Sequence, residues 1–139
     1  MNQLAERVDG ALERLAESAE ELRSLDAAIG DGDLGITVSK GVAAARKALA
    51  ELSEQADVAQ LLQSIGSAFA SANPSTFAAL VGGAVMSAAR VVSGASTFDR
   101  KLAVLALRAA ADSIATRGKA QLGDKTMLDA LYPSVDALE

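Results

Sequence analysis

Three aspartates within the eight-residue stretch 26–33 are the strongest chemical signal in the sequence. Asp26, Asp31 and Asp33 share this stretch with Gly30 and Gly32. Carboxylates this close repel one another unless a cation lies among them, and hard oxygen ligands select Mg²⁺ or Ca²⁺. Mg²⁺ is favoured if a phosphate completes the coordination shell. The residues alone leave an alternative open, in which Asp31-Gly32 is a turn and Asp33 caps a helix.

A second candidate is the glycine-bearing loop from Gly118 to Met127, which precedes a predicted helix. Backbone N–H groups in such a loop could bind an anion, and Met127 could lie against a flat apolar ring. The alternative is a helix cap at Asp124 followed by a methionine that belongs to the core.

A third candidate is the stretch Asn73-Pro74-Ser75-Thr76. Its hydroxyl groups lie at the predicted start of a helix and could hold a phosphate. The alternative is a plain turn between two helices, because proline has no N–H to donate and pushes the preceding residue out of the helical region.

The composition predicts one domain over residues 1–139 and excludes several classes of site. Half of the 139 residues are hydrophobic but only 3% are aromatic, and alanine is frequent, which favours closely packed helices. The net charge of −5 disfavours binding to nucleic acid or to an anionic membrane surface. The chain has no cysteine and no histidine, so it has no thiolate site and no histidine base. We expect a cytoplasmic protein, since no signal peptide or membrane-spanning run is visible.

The spacing of apolar residues predicts an all-α fold, an antiparallel helical bundle of about six helices. The predicted helices run from Asn2 to about Ser24, from just after Gly35 to about Ser53, from about Ala56 to Ser71, from about Thr76 to Val92, from about Thr97 to Arg117, and from about Met127 to Leu138.

Several positions carry more specific structural predictions. Gly82-Gly83 in mid-helix predicts close approach by a neighbouring backbone. The run Leu102 to Leu107 is apolar nearly all round, so its helix should be the most buried. Gly118 is predicted to cap that helix, Ser93–Ser96 to form a turn, and Pro133 to kink the last helix.

Two of these stretches together resemble the nucleotide-binding L domain of the dihydroxyacetone kinase family, DhaL. The matching motifs are Leu25-Asp26-x-x-Ile29-Gly30-Asp31-Gly32-Asp33-x-Gly35 and Arg117-Gly118-Lys119-x-x-x-Gly123-Asp124-Lys125-Thr126-Met127-Leu128-Asp129. The second match extends to Leu138. The resemblance implies a barrel of eight antiparallel helices that holds a nucleotide at one end, with this chain lacking the last part of that barrel.

The resemblance also implies a set of site residues. Asp26, Asp31 and Asp33 would bind two Mg²⁺ ions that bridge the phosphates of ADP or ATP. Gly123 and Met127 would border the adenine. The remaining predicted nucleotide contacts, at positions where the family touches phosphate, are Thr37, Ser75 and Thr76. No protein nucleophile is expected, because positioning and charge neutralisation do most of the work in phosphoryl transfer.

The implied activity is that of a kinase or phosphotransferase component that needs a partner. A K-type subunit would hold dihydroxyacetone, or a similar small ketose, and supply the histidine that anchors it. In some relatives a phosphotransferase-system protein recharges the bound ADP. We also keep a homodimer open.

Two alternatives to the kinase component stay open. Leu34 stands where the family has histidine, and Pro74 lies in the neighbourhood of its phosphate loop, which favours a degenerate or truncated domain acting as a non-catalytic binding or regulatory module. A third hypothesis is the DhaL-like domain of fatty-acid kinases, although Ile29-Gly30-Asp31 sits closer to the dihydroxyacetone branch.

Overall fold

A computed structural model describes residues 2–95 and 97–139, and it confirms the all-α prediction. The described residues form seven helices: α1 (Asn2–Glu17), α2 (Ala19–Ala27), α3 (Leu34–Ala50), α4 (Val58–Ser71), α5 (Thr76–Val92), α6 (Arg100–Gly118) and α7 (Leu128–Leu138). The predicted turn at Ser93–Ser96 falls partly on Ser96, which lies outside the described residues.

The first predicted helix is divided in two at Ser18. The Ser18 hydroxyl donates to the carbonyl oxygen of Arg14 at 3.1 Å, a back-bond of the kind that bends helices. The second part, α2, then continues to Ala27, beyond the predicted end at Ser24. Asp26 therefore lies in the last turn of α2. The sequence predicts a loop at this position, so that prediction is wrong for Asp26.

Successive helices pack side by side as an antiparallel bundle. Both α1 and α2 pack on α3, and the series continues through α4, α5 and α6 to α7. From α2 onward, short connections such as 72–75 between α4 and α5 reverse the chain each time. The starts of α3 and α5 and the end of α6 are consequently at the same end of the bundle.

Helices α4 and α5 pack closely at a point where two glycines face each other. A Cβ atom on Gly82 would lie 2.5 Å from the carbonyl oxygen of Gly66, and one on Gly66 would lie 2.9 Å from the carbonyl oxygen of Gly82. The predicted close approach at Gly82 is confirmed. Gly83 is covered differently, because the guanidinium group of Arg117 occupies the space that a side chain would need.

The core consists of aliphatic side chains and alanine, with Leu61 and Leu128 fully buried. The prediction that α6 would be the most buried helix is wrong. Leu105 is 49% exposed and Leu107 is 43% exposed, because α6 packs against α5 and α7 and leaves its remaining faces open. Within residues 2–95 and 97–139, none of the helices combines the length and the hydropathy that a membrane span requires.

Candidate metal and nucleotide site

The three predicted aspartates converge at the end of the bundle where α3 begins. One carboxylate oxygen from each of Asp26, Asp31 and Asp33 lies within 4.8 Å of the others. Asp26 is half-buried at the end of α2, and the other two are exposed in the connection to α3. Three oxygen donors at this separation are a suitable set for a hard divalent cation.

Hydrogen bonds around Asp26 give the aspartate loop, residues 26–33, its shape. The backbone oxygen of Asp26 accepts the N–H of Gly30 at 2.6 Å. Its carboxylate Oδ2 accepts the N–H of Leu34, the first residue of α3, at 3.3 Å. Asp31 Oδ1 accepts the N–H of Asp33 at 3.3 Å. Asp26 thus closes the loop onto α3 while one of its oxygens stays in the cluster.

Asp33 lies at the N-cap position of α3, but its side chain makes no capping hydrogen bond. The alternative role of this side chain as a helix cap is therefore wrong, since Asp26 bonds to the helix start instead. The charge of Asp31, followed by some loss of hydration and the charge of Asp26, raises the pKa of Asp33 above its usual range. The cluster is a region of concentrated negative charge that a cation would relieve.

Close packing of α2 on α3 places the aspartate loop. Gly35 is buried, and a Cβ atom there would collide with the carbonyl oxygen of Ala19 and would lie 2.8 Å from Cβ of Arg23. Only glycine allows the two backbones to come this close. The position of Asp26 relative to Asp33 therefore depends on residue 35 being a glycine, which has no side chain.

The predicted phosphate contacts lie at the same end of the bundle, near the starts of α3 and α5. Thr37 is 1% exposed, and its Oγ1 accepts a hydrogen bond from Nδ2 of Asn73 at 3.0 Å. This bond ties α3 to the turn before α5. Ser75 caps α5 by accepting the N–H of Ala78 at 3.4 Å, and the Thr76 side chain is exposed. Two helix N-termini, which attract negative charge, thus lie near the aspartates.

The glycine loop, residues 119–127, follows α6 at this end of the bundle. A Cβ atom on Gly118 would lie 3.7 Å from the side chain of Leu80, near the start of α5. The left-handed residue that ends α6 is Lys119, with φ of 53°, so the prediction of a cap at Gly118 is off by one residue. The helical conformation continues through Gly118 because the next residue makes the reversal.

Asp129, which sequence reasoning did not single out, organises the glycine loop. Its Oδ1 accepts the N–H of Gly123 at 2.6 Å, and its Oδ2 accepts the N–H of Thr126 at 2.9 Å. These backbone bonds, that from Gly123 first, lower the pKa of Asp129. Asp124 is not a helix cap, because it accepts the N–H of Gln121 within the loop. The sequence contains one signal for this role, because Asp129 is an acidic residue in the first turn of α7. Backbone N–H groups are free at a helix start and attract a carboxylate.

The two predicted adenine neighbours differ in their surroundings. Gly123 is exposed, with φ of 95°, and a Cβ atom there would meet nothing within 4 Å. Met127 is half-buried and packs on the core cluster that contains Ile114 and Leu128. Within the part of the chain that the structure describes, no hydrogen bond or ion pair joins the glycine loop to the aspartate loop.

Three proteins of known name have sequences similar to that of this chain. The D-erythrulose kinase of Mycolicibacterium smegmatis is 36% identical over 137 residues, which are 98% of this chain and 24% of that protein. The L-erythrulose 1-kinase of the same organism is 40% identical over 124 residues, 88% of this chain and 22% of that protein. The ADP-binding subunit DhaL of PEP-dependent dihydroxyacetone kinase 1 from Listeria innocua is 34% identical over 126 residues, 91% of this chain and 63% of that protein.

The chain thus spans about a quarter of the two erythrulose kinases and less than two thirds of the DhaL subunit. The resemblance to DhaL that the two motifs indicated is confirmed by these relatives. The DAK2 domain family matches residues 28–139, which include Asp31, Asp33 and the whole glycine loop. Because this match extends over most of the sequence, the chain belongs to the DAK2 domain family.

Proposed function

We propose that this chain is the nucleotide-binding component of a dihydroxyacetone kinase system, and that it binds ADP or ATP together with Mg²⁺. The observation that carries the proposal is the convergence of one oxygen from each of Asp26, Asp31 and Asp33 within 4.8 Å. The helix starts of α3 and α5 lie beside this cluster, joined by the bond between Thr37 and Asn73.

The donor set of the aspartate loop fits Mg²⁺. All three side chains offer carboxylate oxygens, and a ligand phosphate would supply the further oxygens that Mg²⁺ requires. The resemblance to DhaL favours two ions bridged by the phosphates. Bound Mg²⁺ would neutralise phosphate charge during phosphoryl transfer.

The chain's own residues would bind and orient the nucleotide. The N-terminal N–H groups of α5 and the hydroxyl of Thr76 would meet phosphate oxygens, with Ser75 fixing the helix start. Thr37, whose hydroxyl is enclosed, would act by holding Asn73. Gly123 and Met127 would border the base. Gly123 is exposed and Met127 is half-buried, so both are accessible to a flat ring.

We assign the phosphoryl acceptor to a partner subunit. The relatives named above act on dihydroxyacetone or erythrulose, so a three- or four-carbon ketose is the acceptor class. This chain contains no histidine, so the histidine that holds the ketose in the DhaL system would come from the K-type partner. The relatives are kinases or kinase subunits, which favours this interpretation over the non-catalytic alternative.

The phosphoryl donor would be ATP, or a phosphotransferase-system protein acting on bound ADP. Relatives in Listeria innocua and Lactococcus lactis are named as PEP-dependent and PTS-dependent systems, respectively. Both donors require a nucleotide held at the aspartates. We place this reaction in the cytoplasm, where both donors occur, and leave a homodimer as a further proposal.

Thermal unfolding with ADP tests the proposal. We expect Mg²⁺ with ADP to raise Tm, because a ligand that binds only the folded state stabilises it. ADP with a chelator should give a much smaller shift. Asp31→Asn should remove the Mg²⁺-dependent part. The matched control is Glu54→Gln, which neutralises an exposed carboxylate in the α3–α4 connection at the opposite end of the bundle. A wild-type Tm that does not respond to millimolar Mg²⁺ and ADP would contradict the proposal.

A further inference from the structure

The carboxylate of Asp129 serves the glycine loop and not the core. The side chain is exposed, so it buries little surface itself. Both of its oxygens accept backbone N–H groups of the loop, from Gly123 at 2.6 Å and from Thr126 at 2.9 Å. Hydrogen bonds to an ionised acceptor are roughly twice as strong as neutral ones. One side chain therefore holds two points of the loop, three residues apart.

The segment from Gly123 to Thr126 has a backbone shape that needs support. Lys125 has φ of 58° and Gly123 has φ of 95°. A left-handed conformation is unfavourable for a residue such as lysine and persists when its surroundings hold it. Asp129 bonds to both ends of this segment and so supports the turn. The bonds between Gln121 and Asp124 lie at its beginning, and they do not reach Lys125 or Thr126.

The glycine loop and the aspartate loop are built independently of each other. The aspartate loop depends on Asp26 and on the α2–α3 contact at Gly35. The glycine loop depends on Asp129 and on the end of α6. Loss of the Asp129 bonds should therefore change one loop and leave the other intact.

We propose that Asp129 is a positioning residue for the base side of the nucleotide site, where it holds Gly123 to Thr126 in the shape that receives the adenine. This inference rests on the proposed function. Asp129 itself touches no ligand, because both of its oxygens face the loop backbone. It should affect the binding of adenine nucleotides and not the binding of phosphate groups at the aspartates.

The test compares a ligand that has a base with one that has none. Asp129→Asn keeps the size of the side chain but replaces one acceptor oxygen by an NH₂ group, which then faces a backbone donor. Calorimetry with excess Mg²⁺ should show ADP binding weakened about tenfold, the usual effect of losing a charge-assisted hydrogen bond. Binding of pyrophosphate should stay within about twofold of wild type, since sites that share no partners act independently.

The control is Asp136→Asn, on the same helix but outside the loop, where Asp136 pairs with Arg108 at 2.8 Å. It should leave both affinities unchanged. A second measurement needs no ligand: amide exchange at Gly123 and Thr126 should be faster in Asp129→Asn than in wild type, while that of Leu34 should be unchanged.

The outcomes separate this inference from the proposed function. Selective loss of ADP affinity supports the positioning role. Equal loss of ADP and pyrophosphate binding would show a general structural effect and overturn it. Unchanged ADP binding in Asp129→Asn would also overturn it, although Mg²⁺-dependent binding by the wild type would leave the proposed function standing. If the wild-type protein binds neither ligand, the proposed function itself fails.

Discussion

The aspartate loop and the glycine loop each depend on an aspartate carboxylate, but the groups that surround this carboxylate are opposite in the two cases. In the aspartate loop the pKa of Asp33 is raised, chiefly by the charge of Asp31. Beside the glycine loop, in the first turn of α7, the pKa of Asp129 is lowered, chiefly by the backbone N–H of Gly123. One carboxylate is surrounded by other negative groups, and the other is surrounded by donors.

This difference separates a carboxylate that can take a ligand from one that is already used by the fold. Asp129 gains favourable bonds as soon as the loop forms, so its charge stabilises the folded chain. Asp33 gains no such bond and is repelled by its neighbours, so its charge opposes folding. The proximity of acidic residues in a sequence does not distinguish an available carboxylate from one that the fold already uses. The hydrogen-bond partners of each carboxylate oxygen make that distinction.

Gly35→Ala is expected to have the largest effect on stability and to disrupt the aspartate loop while leaving the glycine loop in place. The new Cβ atom would collide with the Ala19 carbonyl oxygen and lie 2.8 Å from Cβ of Arg23, so α2 must move away from α3. We expect a loss of about 1–3 kcal/mol of stability, the usual cost of overpacking. The Mg²⁺ response should be lost because Asp26 moves with α2. Denaturant unfolding and calorimetry measure the two effects.

Gly10→Ala is the matched control for that substitution. Gly10 lies within α1, and a Cβ atom there would meet only the Arg14 guanidinium, at 3.9 Å. We expect this change to stabilise the protein by about 0.5–1 kcal/mol, because alanine is the better helix former. If both variants were equally stable, the close contact of α2 with α3 would not be what places the aspartate loop.

A second prediction concerns Asp33→Asn, which should have opposite effects on stability and on binding. Removing the charge relieves repulsion from Asp31 and Asp26, so Tm of the metal-free protein should rise at neutral pH. Mg²⁺ affinity should fall at least about tenfold, since even indirect partners of a metal typically contribute that much. Thermal unfolding with and without Mg²⁺ checks both. A lower metal-free Tm would mean that Asp33 has a stabilising partner.

The smallest expected effect is the difference in pH dependence between Asp33 and Asp129. The raised pKa of Asp33 means that its contribution to stability is present below its usual pKa and is lost as pH rises through the raised value. The lowered pKa of Asp129 means that its contribution is present above its usual pKa and is lost as pH falls through the lowered value. Carboxyl carbon shifts followed by NMR should show the two midpoints displaced in opposite directions. Added Mg²⁺ should lower the midpoint of Asp33 and leave that of Asp129 unchanged.

Much of the helical framework could be predicted from local sequence. The bounds of α5, Thr76 to Val92, agree with the prediction, because Pro74 and Ser75 mark the start of this helix by their own chemistry. The close contact at Gly82 also followed from a local rule, since a glycine inside a helix is costly unless something needs its space. Signals of this kind act within a few residues.

Other features depended on contacts that a linear pattern does not contain. The division at Ser18 accompanies the bond that its hydroxyl makes back to the Arg14 carbonyl oxygen, whereas the spacing of apolar residues runs on without a break. The exposure of Leu105 and Leu107 depends on which helices lie beside α6. The capping of α3 by Asp26 required a residue eight positions before Leu34 to return to the helix start. The predicted cap at Asp33 was the nearer and simpler choice.

The sequence by itself determined that the chain is helical, that three carboxylates lie close together, and that a glycine loop precedes the last helix, because residue type and spacing control these properties directly. Only the tertiary structure decided which carboxylates remain available. Asp33 stays without a capping bond, whereas Asp129 is occupied by Gly123 and Thr126. The reason is physical: the pKa and availability of a carboxylate depend on the donors and charges within a few ångströms, and folding alone brings those groups together.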